Sequence, residues 1–131
     1  MTVYVFGNED FDLDNRVYEL ENRIKKKIQG IEFMDVKPNE DIPNKKELII
    51  LDTVQGIEKV TVIREKDLDK LIFSRSVSAH DFDLGFQLKY LIKLGKLKKV
   101  KIIGIPQTGE VDYLRIQSIF KKLVAQDIQG S

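Results

Sequence analysis

Apolar and polar residues alternate along the chain in two rhythms. Thr2–Phe6 is a β-branched and aromatic run that stops at Gly7-Asn8, which predicts a buried first strand closed by a turn. After an acidic stretch with Glu9, Asp10, Asp12 and Asp14, apolar residues return at Val17, Leu20, Ile24 and Ile28. That three-and-four spacing predicts an amphipathic helix. Gly30 ends it, and Lys25, Lys26 and Lys27 occupy its last turns, where a helix terminus favours cations. Ile31–Val36 reads as a second strand, and Lys37–Lys46, with two prolines and two asparagines, as a loop. Glu47–Leu51 is an unbroken apolar run ending in Asp52, suited to a strand covered on both faces. Gly56 marks a turn and Val60–Ile63 a further strand. A short helix is predicted near Lys66–Leu71, then an irregular segment to Ala79. Leu84, Phe86, Leu88, Leu91 and Ile92 predict a helix over Asp83–Leu94, closed by Gly95. Val100–Ile105 is the last strand, Pro106–Gly109 a loop, and Val111–Val124 a final helix with Leu114, Ile116, Ile119, Phe120 and Leu123 facing inward.

The order β-α-β-β-β-α-β-α predicts an α/β fold: three αβα layers, a twisted, largely parallel five-stranded sheet with helices on both faces. Val60–Ile63 is expected to run antiparallel because its connection to Leu48–Leu51 is short. No repeat, low-complexity tract or linker divides the chain, so residues 1–131 are read as a single domain.

Composition narrows the function. Twenty-two Lys and Arg against 21 Asp and Glu give a net charge of +1, which argues against a dedicated nucleic-acid binder. The one basic cluster, Lys96–Lys101, is broken by apolar residues and reads as the solvated start of a strand. There is no cysteine, which removes disulfides, thiolate metal sites and cysteine nucleophiles together. There is one histidine, so imidazole chemistry must use His80. No stretch approaches the ~18 apolar residues of a transmembrane helix. The opening MTVYVFGNEDF lacks the basic and apolar regions of a signal peptide. A cytoplasmic protein, without membrane or nucleic-acid partner and monomeric, is expected.

In open α/β sheets, sites collect outside the carboxyl ends of the strands. Three polar features fall there: the Gly7–Asp14 loop, Asp52 and His80. Two carboxylates and an imidazole on one edge are suited to a divalent metal. Each also has a plainer role open to it. Asp14 can be the N-cap of the first helix. Asp52 can open a tight turn. His80 can be a surface residue before a helix capped by Asp81 or Asp83. The glycine-rich phosphate loops G-x-G-x-x-G and G-x-x-x-x-G-K-[ST] are absent. So is the G-x-S-x-G elbow, although Ser74, Ser76 and Ser78 lie near His80 in sequence.

Taken in order, Gly7-Asn8, the helix start at Leu13-Asp14, L-I-I-L-D-T-V around Asp52, S-x-x-x-H ending at His80, and the strand closing Gly104-Ile105-Pro106 resemble the hydrogenase maturation endopeptidases. The resemblance runs from Val3 to Val124. It implies an endopeptidase that removes a C-terminal extension from the large-subunit precursor of a nickel–iron hydrogenase once nickel is inserted. It further implies that Asp14, Asp52 and His80 contact nickel supplied by the substrate, so that the isolated protein need hold no metal, and that Gly7 and Asn8 shape the substrate loop. The family lacks a classical protease nucleophile, which agrees with a chain without Cys or the serine elbow.

The sequence departs from the family pattern at Leu13, where the first of two acidic residues stands, at Asn15, where glycine stands, and at Glu9 and Asp10, which replace apolar residues. These departures keep a second reading open, a non-catalytic docking or chaperone module on the same fold. A third, a small flavodoxin-like or nucleotide-binding protein, is allowed by fold class alone and opposed by the missing phosphate loop.

Overall fold

Strand alternation decides which helices cover which face. The computed structural model describes residues 1–6, 15–37, 40–73 and 79–130. Five strands, β1 (Thr2–Phe6), β2 (Glu32–Val36), β3 (Glu47–Val54), β4 (Thr61–Arg64) and β5 (Lys99–Pro106), form one sheet in the order β2-β1-β3-β5-β4. The helices are α1 (Asn15–Lys27), α2 (Leu68–Ile72, entered through a 3-10 turn, Glu65–Asp67), α3 (Ala79–Lys93) and α4 (Tyr113–Gly130). Val3 and Val5 of β1, Leu51 of β3 and Ile103 and Ile105 of β5 face one way, against Val17, Leu20 and Ile24 of α1 and Ile116, Phe120 and Leu123 of α4. The alternate residues, Tyr4, Phe6, Leu48, Ile50, Val54, Val100 and Ile102, face Leu68 and Leu71 of α2 and Leu84 and Leu88 of α3. This is the expected three-layer αβα architecture. The central strands are buried on both faces, as unbroken apolar runs require.

The sheet is mixed. β1–β2, β1–β3 and β3–β5 pair in parallel, and β4 pairs antiparallel with β5. The expected antiparallel strand is present, but β5 lies between it and β3. The short connection therefore spans a strand position instead of closing a hairpin. β3 continues past Leu51: Asp52, Thr53 and Val54 pair with Gly104, Ile105 and Pro106. Asp52 therefore lies within a strand and does not open a turn. The helix expected from Asp83 begins at Ala79. Phe86, part of the apolar pattern of α3, is 60% exposed, and Leu114, expected to face inward, is 78% exposed. Each sits two residues, or about 200° of helix, from a buried neighbour, Leu84 or Ile116.

Candidate metal-recognition site

The strand order places the site. From β1 the chain reaches β2 on one side, while β3 and β5 lie on the other, so the order reverses between β1 and β3. Ligands of open α/β sheets bind outside the carboxyl ends of the strands at such a reversal. There Phe6 of β1, Asp52 of β3 and Gly104 of β5 stand side by side in register. Asp52 shares the parity of Leu48, Ile50 and Val54, which face α2 and α3. Its carboxylate is thus directed at the face where α3 begins.

The first turn of α3 supplies the other groups. His80 Nε2 lies 3.4 Å from Asp52 Oδ1. Asp81 is buried at 1% exposure, as is Asp52, and Asp81 Oδ2 accepts the backbone N–H of Gln55 at 3.4 Å, just past the end of β3. A carboxylate in the first helical turn is favoured by the helix dipole, and this bond ties α3 to the strand that carries Asp52. One donor atom from each of Asp52, His80 and Asp81 lies within 4.8 Å of the others. The His80 side chain is 26% exposed against 2% for that of Asp52, but its Nε2 is buried beside the Asp52 carboxylate. Carboxylate and imidazole donors together suit a divalent first-row metal better than Mg2+ or Ca2+, which favour oxygen alone.

Gly104, beside Asp52 in register, has little room for a side chain. A Cβ there would lie 3.1 Å from Val54 Cγ2 and 3.3 Å from Ile57 Cδ1. A cavity of about 240 Å³ starts beside this point, walled by Val54, Gln55, Ile57, Thr61, Ile63 and Leu71. A larger one of about 430 Å³, lined by Met1, Glu47, Lys99 and Asp127 among others, lies at the opposite end of the strands and shares no residue with the cluster. Chemistry and not size identifies the site.

Of the residues singled out in the sequence, Asp52 and His80 come together. Asp14, Gly7 and Asn8 lie outside the described residues, as does Leu13. Arg16, two residues beyond Asp14, reaches the same sheet edge: its guanidinium donates to the Pro106 carbonyl at 3.1 Å, at the end of β5. Asp81, open in the sequence to a capping role alongside Asp83, joins the cluster. A signal for it was present. Asp81, Leu84, Gly85 and Leu88 fall on one helical stripe and all four are buried. A carboxylate in an apolar stripe requires a polar purpose.

A family model described as hydrogenase maturation protease matches residues 28–129, a span that includes Asp52, His80 and Asp81. Among solved structures, the hydrogenase maturating endopeptidase HybD from Escherichia coli superposes with a TM-score of 0.56 at 20% identity, over 79% of this chain and 73% of that one. The solution structure of an endopeptidase from Escherichia coli gives 0.52 at 21% identity, over 81% and 74%. Identities this low establish likeness of fold. No curated protein matches the chain.

Proposed function

The chain belongs to the hydrogenase maturation protease family, and from that premise we propose that it is an endopeptidase that removes a C-terminal extension from a nickel-loaded hydrogenase large-subunit precursor. The observation that carries this reading is the 3.4 Å approach of His80 to Asp52 at the sheet's point of reversal. Nickel belongs to the substrate and serves as the recognition element. His80 contacts it through a ring-nitrogen lone pair, and Asp52 supplies a carboxylate oxygen. Asp14 is the third contact in this reading, and Asp81 stands close enough to add a further oxygen. The metal polarises the scissile carbonyl or a water beside it. One of the carboxylates accepts the water proton as the new C–O bond forms and returns it to the amide nitrogen as the C–N bond breaks. The protein acts as a cytoplasmic monomer. Among its described residues no helix is long and apolar enough to cross a membrane.

The test is incubation with a nickel-loaded precursor, followed by the intact mass of the large subunit. The wild type is expected to remove a defined C-terminal mass. Asp52→Asn and His80→Ala are expected to slow this by about 100-fold or more, the range seen when a group contacting the reacting centre is lost. Full processing by both variants would overturn the mechanism. Leu13 and Asn15 favour a second reading, docking without cleavage, which predicts complex formation with the mass unchanged.

A further inference from the structure

Asp52 and His80 belong to different elements, so the distance between them depends on what fixes α3 to β3. The body of α3 is held by apolar contacts that begin at Leu84. Leu84 and Leu88 pack in the layer against the sheet, and Gly85 lies against Ile72 and Leu71 of α2. The turn before Leu84 has no such support. Of Ala79, His80, Asp81 and Phe82, only Asp81 is buried. Its carboxylate accepts the backbone N–H of Gln55, three residues beyond Asp52 along the chain. An apolar side chain would fill this place without the desolvation that a carboxylate suffers, so the bond, and not the packing, is what the position supplies.

His80 shows what that bond maintains. Its Nε2 is buried and has no hydrogen-bond partner among the described residues, although Asp52 Oδ1 is only 3.4 Å away. A closed N–H···O bond would measure about 2.9 Å. Two donors on one metal ion, each about 2.1 Å from it, stand about 3.0–3.4 Å apart. The pair is therefore spaced as two ligands are. We propose that Asp81 is the positioning residue of this site: its bond to Gln55 locks the first turn of α3 to the end of β3 and so holds the His80 imidazole at ligand spacing from Asp52. The inference deepens the function proposed above and rests on it. His80 and Asp81 are adjacent, so any slack in the turn passes directly to the imidazole. Groups that orient a metal ligand are worth about 10- to 100-fold in metal affinity or activity.

The bond can be broken from either end. Gln55 opens a turn in which Gly56 has φ 87°, and no described residue other than glycine has a positive φ. That is the type II pattern, which favours proline at the place of Gln55, whose side chain is exposed. Gln55→Pro thus removes the donor and leaves the Asp81 carboxylate in place. Asp81→Leu removes the acceptor, and Asp81→Asn keeps an acceptor oxygen while giving up the charge that a metal ligand needs. Each is compared with the wild type in processing of nickel-loaded precursor and in the shift of the His80 ring signals on Cd2+ titration, with melting curves confirming that the variants are folded at the assay temperature. Gln55→Pro and Asp81→Leu are each expected to lower kcat and weaken the Cd2+ response by about tenfold or more, with KM within about twofold. Asp81→Asn is expected to recover most of both losses. If Asp81→Asn fails as Asp81→Leu does while Gln55→Pro behaves as wild type, Asp81 contacts the metal itself and the inference is overturned. Loss in only one of the two disrupting variants, or in neither, also overturns it. A wild type that shows the expected Cd2+ pattern without cleaving overturns the endopeptidase reading and keeps the positioning role. A wild type that neither cleaves nor responds to Cd2+ overturns both.

Discussion

Asp52 and Asp81 are each 1% exposed, and charges so buried persist only where partners or a ligand compensate for lost hydration. Cd2+ can stand in for nickel without broadening resonances, and the lone histidine supplies one set of ring signals. Those signals are expected to shift on titration, and Asp52→Asn is expected to weaken the response at least tenfold, in keeping with the loss of one ligand. An unaltered response in that variant would separate His80 from the strand carboxylate. A different outcome is expected on the opposite side of the same strand. Thr53 is 6% exposed, and its hydroxyl has no hydrogen-bond partner among the described residues. Replacing it by the isosteric Val is expected to leave stability unchanged or raise it by up to about 1 kcal/mol, read as a melting temperature. At this scale the sequence was informative about residue type and less so about geometry. Asp52 and His80 were visible because each ends or precedes a regular pattern. Asp81 was hidden because an acidic residue before a helix already has an ordinary explanation in capping.

Elements were legible where one rhythm persisted and less so where a polar residue interrupted it. α1 declares itself through Val17, Leu20 and Ile24, all buried, and its end through Gly30 at φ 89°. β3 looked shorter than it is because Asp52 resembles a stop, yet three further ladder pairs with β5 carry the strand to Val54. The partner of β4 could not be read locally, since it is set by a strand far along the chain. What holds β4 against β5 includes Glu65, whose carboxylate accepts the backbone N–H of Val100 at 3.1 Å. Its own backbone N–H, then that of Val100 and the nearby Arg64 and Lys99 charges, hold its carboxyl below the usual glutamate range against a desolvation that opposes them. A carboxyl depressed in the folded state stabilises the protein above its unfolded pKa, and the contribution fades as pH falls through the lower folded value. Glu65→Gln is therefore expected to melt below the wild type at pH 7, with the gap closing under acid conditions below about pH 4. A gap independent of pH would show that packing, not charge, is responsible. α2 and α3 meet at Gly85, where a Cβ would lie 2.8 Å from Ile72 Cγ1. Gly85→Val is expected to destabilise the protein by about 1–3 kcal/mol through overpacking, measured by urea denaturation.

The whole molecule is one sheet with an apolar layer on either side, and the two layers serve different ends. The α1/α4 layer, centred on Phe120 at 0% exposure, holds none of the cluster residues. The α2/α3 layer ends in the cluster itself. Phe120→Ala is expected to cost about 3–5 kcal/mol while leaving the His80 response to Cd2+ intact below the melting transition. Loss of that response in the folded variant would show that the two layers are coupled across the sheet. The architecture was readable from the sequence because both layers draw on strands whose apolar runs admit no solvated face. The mixed character of the sheet depends on one long-range pairing, and no local pattern encodes such a choice.

That pairing also fixes an order of events. During synthesis β4 leaves the ribosome well before β5, its one ladder partner among the described residues, and until then it has no strand to join. The segment that follows β4, including the start of α3, is tethered at that stage to a strand not yet incorporated. A nascent chain lacking Lys99–Pro106 thus carries Asp52 and His80 without the sheet that sets them 3.4 Å apart. In pulse-labelled hydrogen exchange, amides of β4 are expected to gain protection together with those of β5 and not with those of β1 and β3. The close approach of His80 to Asp52 then arises only once the sheet is complete, so an unfinished chain cannot yet act on the proposed precursor.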